Sequence, residues 1–168
     1  MSHLRTIDLG TTTIRRPARP LPSVGAPVKL TLEGRVQNAL NLVMPLKSPA
    51  QMPALGRLLA ASQPEIEAAL TSLRYVHFAR FVSSPDYSQL MTITTYDGGL
   101  DAYTMDFVAV LGNVFTAVLR FIRGAPPLPV QKYPREFLAF VRKHNVPTGL
   151  WSAYPELTVL EIRRAAGR

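Results

Sequence analysis

The chain has 168 residues, the length of one ordinary domain. Apolar residues make up 47% of it and charged residues 18%, which is enough material for a hydrophobic core and excludes a wholly disordered chain. Nineteen Lys and Arg against eleven Asp and Glu give a net charge of +8, and the lack of Cys excludes disulfide scaffolds, Cys-ligated metals and thiol catalysis.

The first 36 residues are predicted to form an extended, basic, Pro-rich arm. They contain four prolines and show no apolar period, and they carry six basic against two acidic residues. Such an arm either remains disordered or wraps a neighbouring subunit. The arm contains no apolar stretch of signal-peptide length, and no run elsewhere suits a membrane span, so we expect a cytoplasmic protein without a span.

The folded part is predicted to be a single domain, 37–168. Its first strand begins at Gln37, where the apolar residues alternate: Leu40, Leu42, Met44 and Leu46. Ser48 followed by Pro49 is typical of a helix start, with Ser48 as the capping residue. Ser62 followed by Pro64 repeats that signal, which predicts a break in the helix and a second helical piece.

The later elements follow from patterns of the same kind. Two β-rich segments joined by a turn predict a hairpin, and helical spacing of apolar residues predicts a long helix behind it. In chain order, the predictions are a strand at 75–82, a strand at 89–96, a helix from Leu100 to Ile122, a Pro-rich connector at 124–134, a short helix at 135–145, a strand at 149–154 and a terminal helix that Thr158 either caps or lies within.

This order predicts an α+β protein of the ferredoxin-like, split βαβ type. Its antiparallel sheet would carry the helices on one face, with an inserted helix before the last strand. The other face of the sheet would then stay uncovered. In a chain with this apolar content, that face needs a partner subunit, the N-terminal arm or a ligand to cover it.

Two sequence blocks, VHFARF and TYDGGLDAYTMDF, resemble stretches of uncharacterised members of the dimeric α/β-barrel superfamily. The resemblance covers roughly residues 37–154. It implies a homodimer in which two ferredoxin-like sheets pack face to face. Some members of the superfamily bind haem, so haem is a candidate cofactor, although the Gly-x-x-Asp-Gly signature of dye-decolorising peroxidases is not found here.

His77 and Arg80 are the candidate catalytic residues. His77 is either a packed histidine satisfied by a backbone group or by Asp97, or a residue that orients a ligand. Strand alternation places Arg80 on the opposite face from His77 unless a bulge intervenes. Arg80 would then either pair with Asp101 or Asp106 or bind an anion in a cavity.

Four further residues are candidate ligand-binding residues: Tyr96, Asp97, Tyr103 and Trp151. The first three surround the junction between the third strand and the long helix, where free amides could meet an anionic group. The alternatives are a simple turn there and ordinary packing of Trp151. Three dispersed histidines without Cys predict no dedicated metal site.

The leading functional hypothesis is a protein that binds a small aromatic, lipid-like or haem-like molecule, or a cofactor-independent enzyme acting on one. The ligand would be apolar or anionic. The alternative is a non-catalytic subunit of a larger assembly that uses its N-terminal arm. Nucleic-acid binding ranks last, because aromatic residues are not interleaved with the basic residues of the arm.

Overall fold

The computed structural model describes residues 36–167, so the predicted arm lies outside the described residues apart from Val36. The described part is an α+β fold with an open, three-stranded antiparallel sheet and five helices. The strands are β1 (Gln37–Pro45), β2 (Val76–Ser83) and β3 (Gln89–Asp97). The helices are α1 (Met52–Ala61), α2 (Gln63–Leu73), α3 (Leu100–Leu119), α4 (Pro134–His144) and α5 (Val159–Ala165), and a short 3₁₀ turn, Pro49–Gln51, precedes α1.

The strand order is β1-β3-β2, with β3 in the centre of the sheet. Leu42 and Phe81 both lie opposite Thr92 on the central strand, so these three residues share one face. That face packs against the helices and forms the hydrophobic core, which includes Leu42 of β1 and Phe107 of α3. The alternating apolar residues of β1 therefore predicted the inward face correctly.

The two predicted helix signals have different outcomes. Ser48 caps the 3₁₀ turn as predicted, because its Oγ accepts a hydrogen bond from the backbone N–H of Ala50. Ser62 lies between α1 and α2, which confirms the predicted break. Its side chain makes no capping bond, however, because its backbone is itself helical and only a non-helical residue aims its side chain at the free amides.

Helix α3 is the central helix of the core. Among residues 36–167, it is the one helix that is long and apolar enough to cross a membrane by length and composition. In this fold it packs against the sheet and against α1, α2 and α4, and ten of its residues are buried. Its hydropathy is thus accounted for by a core position.

The predicted strand at 149–154 is wrong, because these residues form no strand. The chain leaving α4 instead makes a single bridge to the outer edge of β1. There Asn145 Oδ1 accepts from the backbone N–H of Asn41, and the backbone N–H of Val146 donates to the carbonyl of Asn41. Pro147 follows at once, and residues 147–150 form no further bridge to β1.

The sheet face opposite the core is not covered by α1–α4, and we call it the open face. The middle of this face carries mostly apolar, partly or largely exposed side chains from all three strands, with three polar ones, Asn41, Arg80 and Thr95; the apolar ones are Ala39, Val43, Phe78, Val82, Met91 and Ile93. The C-terminal part of the chain, from Leu150 to α5, covers only one end of this face. The remainder is exposed in the described part of the chain.

Candidate functional site

A β-bulge at His77 organises the covered end of the open face. The register between β2 and β3 shifts there, since Val76 pairs with Tyr96 and Phe78 pairs with Thr95. His77 is therefore the extra residue of β2, and the alternation of side chains changes after it. Beyond the bulge, Phe78 points to the open face.

The bulge brings His77 to Asp97. The Nε2 atom of His77 lies 2.7 Å from Oδ1 of Asp97, and the two side chains are only 8% and 12% exposed. The second carboxylate oxygen, Oδ2, accepts a hydrogen bond from the backbone N–H of Val159, at 2.9 Å. Asp97 thus joins β2, β3 and the start of α5. The hydrogen bond between His77 and Asp97 agrees with the interpretation of His77 as a packed histidine.

Next to this pair lies a groove of about 550 Å³. One wall belongs to the sheet and the other to the C-terminal segment. The lining residues are Gln37, Val76, His77, Phe78 and Thr95 on the sheet side, and Leu150, Trp151, Ser152, Ala153, Tyr154, Val159, Ile162 and Arg163 on the C-terminal side. Large aromatic side chains remain exposed at its mouth: Trp151 is 80% exposed and Phe78 is 74% exposed.

The C-terminal wall is held in place by hydrogen bonds from the first residues of the domain. The Nε2 atom of buried Gln37 donates to the carbonyls of Tyr154 and Leu157, at 2.7 and 2.8 Å. The backbone N–H of Val36 donates to the carbonyl of Pro155, at 3.0 Å. Together with the Asp97–Val159 bond, these contacts fix the width of the groove at one end.

The charged groups around the groove are few. Among its described lining residues there is no Asp or Glu, and Arg163 supplies a permanent positive charge. The nearest carboxylate in contact with a lining side chain is that of Asp97, and both of its oxygens already accept hydrogen bonds. Glu161 on α5 is engaged with Thr158, whose backbone N–H and hydroxyl lower the pKa of the glutamate.

Arg80 lies on the open face, opposite Ile93 of β3, and its side chain is exposed. The ion pair of Arg80 with Asp101 or Asp106, one of its two alternatives, is not found among the described residues. The hydroxyl of Tyr75 donates to Asp106, and Arg142 pairs with Asp101. The bulge explains this outcome in part, because it places both His77 and Arg80 on the side of the sheet away from the helices.

Tyr96 and Tyr103 do not reach the groove. They stack beneath the sheet with ring centroids 3.8 Å apart, and each is 2% exposed. The hydroxyl of Tyr103 donates to Oγ1 of Thr94, at 2.6 Å, and burial raises the pKa of both tyrosines. The structure therefore brings together His77, Asp97 and Trp151, and it places Tyr96 and Tyr103 in the core.

The residues around the groove do not fit a haem held through His77. A haem iron would need a ring nitrogen of His77 at the surface of the groove, but this side chain is only 8% exposed. Within residues 36–167, no group of three or more His, Asp or Glu side chains is placed to hold a metal ion. What the groove offers a ligand is therefore aromatic surface, hydrogen-bonding groups and one cation.

Sequence reasoning missed three residues of the groove. Simple alternation placed Phe78 on the face away from His77, and only the bulge brings the two to the same groove. Gln37 and Arg163 carry no local signal, because their roles depend on contacts between the two ends of the domain.

Comparisons of the chain with protein-family models, with curated proteins and with solved structures find no match.

Proposed function

We propose that this protein binds a small aromatic or lipid-like molecule in the groove, either as a binding protein or as a cofactor-independent enzyme of the dimeric α/β-barrel type. One observation carries the proposal: Trp151 and Phe78 remain largely exposed at the mouth of a concave groove of about 550 Å³. Small-molecule sites are typically clefts of roughly 300–1,000 Å³ lined by aromatic and apolar groups with a few polar ones.

The path of the chain supports a ferredoxin-like arrangement. In the strand order β1-β3-β2, a fourth strand of a split βαβ unit would lie beside β1. The residues that do cross that edge, Asn145 and Val146, are those that follow the inserted helix α4. The mostly apolar open face suits a second copy packed sheet to sheet, so the proposal includes a homodimer.

Binding takes precedence over catalysis in this proposal because of how His77 is held. A carboxylate that fixes one nitrogen of an imidazole is a common way to orient a histidine. Here, however, the same carboxylate also anchors α5, and only 8% of the His77 side chain is exposed. His77 and Asp97 therefore act as positioning residues that shape the groove.

The test uses Trp151, which is the single tryptophan of the chain. The full-length protein is titrated with N-phenyl-1-naphthylamine, an uncharged aromatic probe that fluoresces in apolar sites. We expect saturable binding that weakens about tenfold in Trp151→Ala, as the loss of an aromatic contact worth roughly 1.4 kcal/mol would give. Tyr87→Ala is the matched control, because Tyr87 is an exposed aromatic residue in the β2–β3 turn, outside the groove.

Equal affinity of the wild type and Trp151→Ala for the probe would contradict the proposal, and so would the absence of saturable binding. Circular dichroism of each variant checks that the fold is retained. Trp151 is mostly exposed, so its replacement removes little core packing.

The alternative, a non-catalytic assembly subunit, is favoured by a separate observation. Val36, the first described residue, donates its backbone N–H to the carbonyl of Pro155 beside the groove. Light scattering of the full chain and of a variant lacking residues 1–35 tests this function. A large assembly that is lost on deletion, with the circular dichroism unchanged, would favour it over ligand binding.

A further inference from the structure

The groove presents one permanent cation, Arg163, and an exposed aromatic side chain on each of its two walls, and this combination indicates the class of its ligand. We infer that the ligand is a planar aromatic molecule with one anionic group, such as an aromatic carboxylate. Its ring would lie against Trp151 and Phe78, and its anionic group would face Arg163. This inference rests on the proposed function and deepens it.

The position of Arg163 is fixed by the start of α5. Thr158 and Glu161 form a capping box there, in which Thr158 Oγ1 accepts from the backbone N–H of Glu161 and Glu161 accepts from that of Thr158. Val159 is buried and bonded to Asp97. Arg163 follows Val159 by four residues, so both side chains lie on the same face of the helix, toward the groove.

The charge of Arg163 is not used by the described protein itself. The two ion pairs found within residues 36–167 are His77–Asp97 and Arg142–Asp101, and neither involves Arg163. Its neighbour Arg164 differs, since Arg164 contributes to lowering the pKa of Glu161. A guanidinium without a protein carboxylate, at the edge of an apolar groove, is suited to a planar anion that it can bind through two parallel hydrogen bonds.

The two aromatic side chains, one on each wall, supply the second part of the recognition. The exposed rings of Trp151 and Phe78 line the same groove and offer flat apolar surface. A cationic ligand would be repelled by Arg163. A neutral aromatic ring would gain binding energy only from Trp151 and Phe78. The anionic group therefore distinguishes the expected ligand from a purely apolar one.

Two probes with the same ring system separate these contributions: 2-naphthoate, which is anionic, and 2-naphthalenemethanol, which is neutral. Each is titrated into the ¹⁵N-labelled full-length protein, and dissociation constants are read from the indole N–H signal of Trp151. Since the chain has one tryptophan, this signal is unique and reports on the groove. We expect the wild type to bind 2-naphthoate about tenfold more tightly than the alcohol, as one charge-assisted contact would give.

Arg163→Gln should remove this preference while leaving the affinity for the alcohol unchanged. Arg164→Gln is the matched control, because it removes the same charge from an exposed neighbouring position outside the groove, and it should keep the preference. Arg163 is exposed as well, so neither substitution disturbs the core.

The outcomes separate a failure of the anionic ligand class from a failure of ligand binding in the groove. If the wild type binds both probes equally, the anionic ligand class is overturned and binding in the groove stands. If both arginine variants lose the preference alike, net charge rather than Arg163 is responsible, which also overturns the inference. If neither probe shifts the indole signal, the inference and the proposed function fail together.

Discussion

Asp97 and Val159 are 62 residues apart in the sequence, and the carboxylate of the first accepts the backbone N–H of the second. The same carboxylate holds His77 at the bulge of β2. One side chain at the end of the central strand therefore connects an edge strand to the C-terminal helix. Three predictions follow from this contact, from the core and from the hairpin turn.

Asp97→Ala should lower the free energy of unfolding by about 1–3 kcal/mol, because two hydrogen bonds to a largely buried carboxylate are lost. The effect should be concentrated in α5, whose amides should exchange faster with deuterium. Asp97→Asn keeps one acceptor oxygen and should fall between the wild type and Asp97→Ala. Urea unfolding and amide exchange measure the two effects. Unchanged exchange in α5 of Asp97→Ala would show that the bond does not anchor the helix.

Thr92 and Thr94 occupy neighbouring inward positions on β3, yet replacement by valine should have opposite effects. Thr92 Oγ1 is buried and has no hydrogen-bond partner among the described residues, so Thr92→Val should stabilise the fold by about 1 kcal/mol. Thr94 Oγ1 accepts from the hydroxyl of Tyr103, so Thr94→Val leaves that buried hydroxyl unpaired and should destabilise by about 1–3 kcal/mol. Urea unfolding of both variants tests the pair, and shifts in the same direction would refute it.

Asp86, in the turn between β2 and β3, should titrate at an unusually low pH. Hydrogen bonds from the hydroxyl of Ser84 and from the backbone and hydroxyl of Ser88 lower the pKa of Asp86 from 3.8 to about 2. Since the folded-state pKa is depressed, the contribution of this carboxylate to stability is present above pH 3.8 and is lost as the pH falls through about 2. A carboxyl ¹³C titration measures the pKa.

Ser84→Ala and Ser88→Ala should each raise the pKa of Asp86 toward 3.8. Ser72→Ala is the control, because the hydroxyl of Ser72 donates to the carbonyl of Ala69 within α2. An Asp86 pKa that stays near 2 in both turn variants would mean that these hydrogen bonds are not its cause.

Much of the fold could be predicted from local patterns. The inward face of β1 follows from its alternating leucines, the break at Ser62 from the capping signal, and the start of α5 from Thr158, whose capping box the structure contains. The strand at 149–154 could not be rejected in this way. Its apolar and aromatic residues suit a strand, and where the pairing with β1 stops, at the bridge between Asn145 and Leu42, depends on contacts between distant segments.

The candidate site was predictable only in part. The aromatic surroundings of His77 and the large side chain of Trp151 could be singled out from the sequence, although the exposure of Trp151 could not. The pairing of His77 with Asp97 was one of the open alternatives. The bulge has no decisive sequence signature here, since apolar residues occupy both predicted faces of β2 and do not fix its register. The position of Tyr96 and Tyr103 near the helix start predicts that they line the site, but their rings pack in the core instead.

The tethers of Gln37 to the carbonyls of Tyr154 and Leu157 span 117 and 120 residues. Contacts over such a separation require closure of a long loop, and they form late when the intervening chain folds on its own local contacts first. The groove should therefore be among the last parts of the domain to assemble during folding. Loss of the Gln37 side chain should therefore slow the last step of folding more than the formation of the sheet.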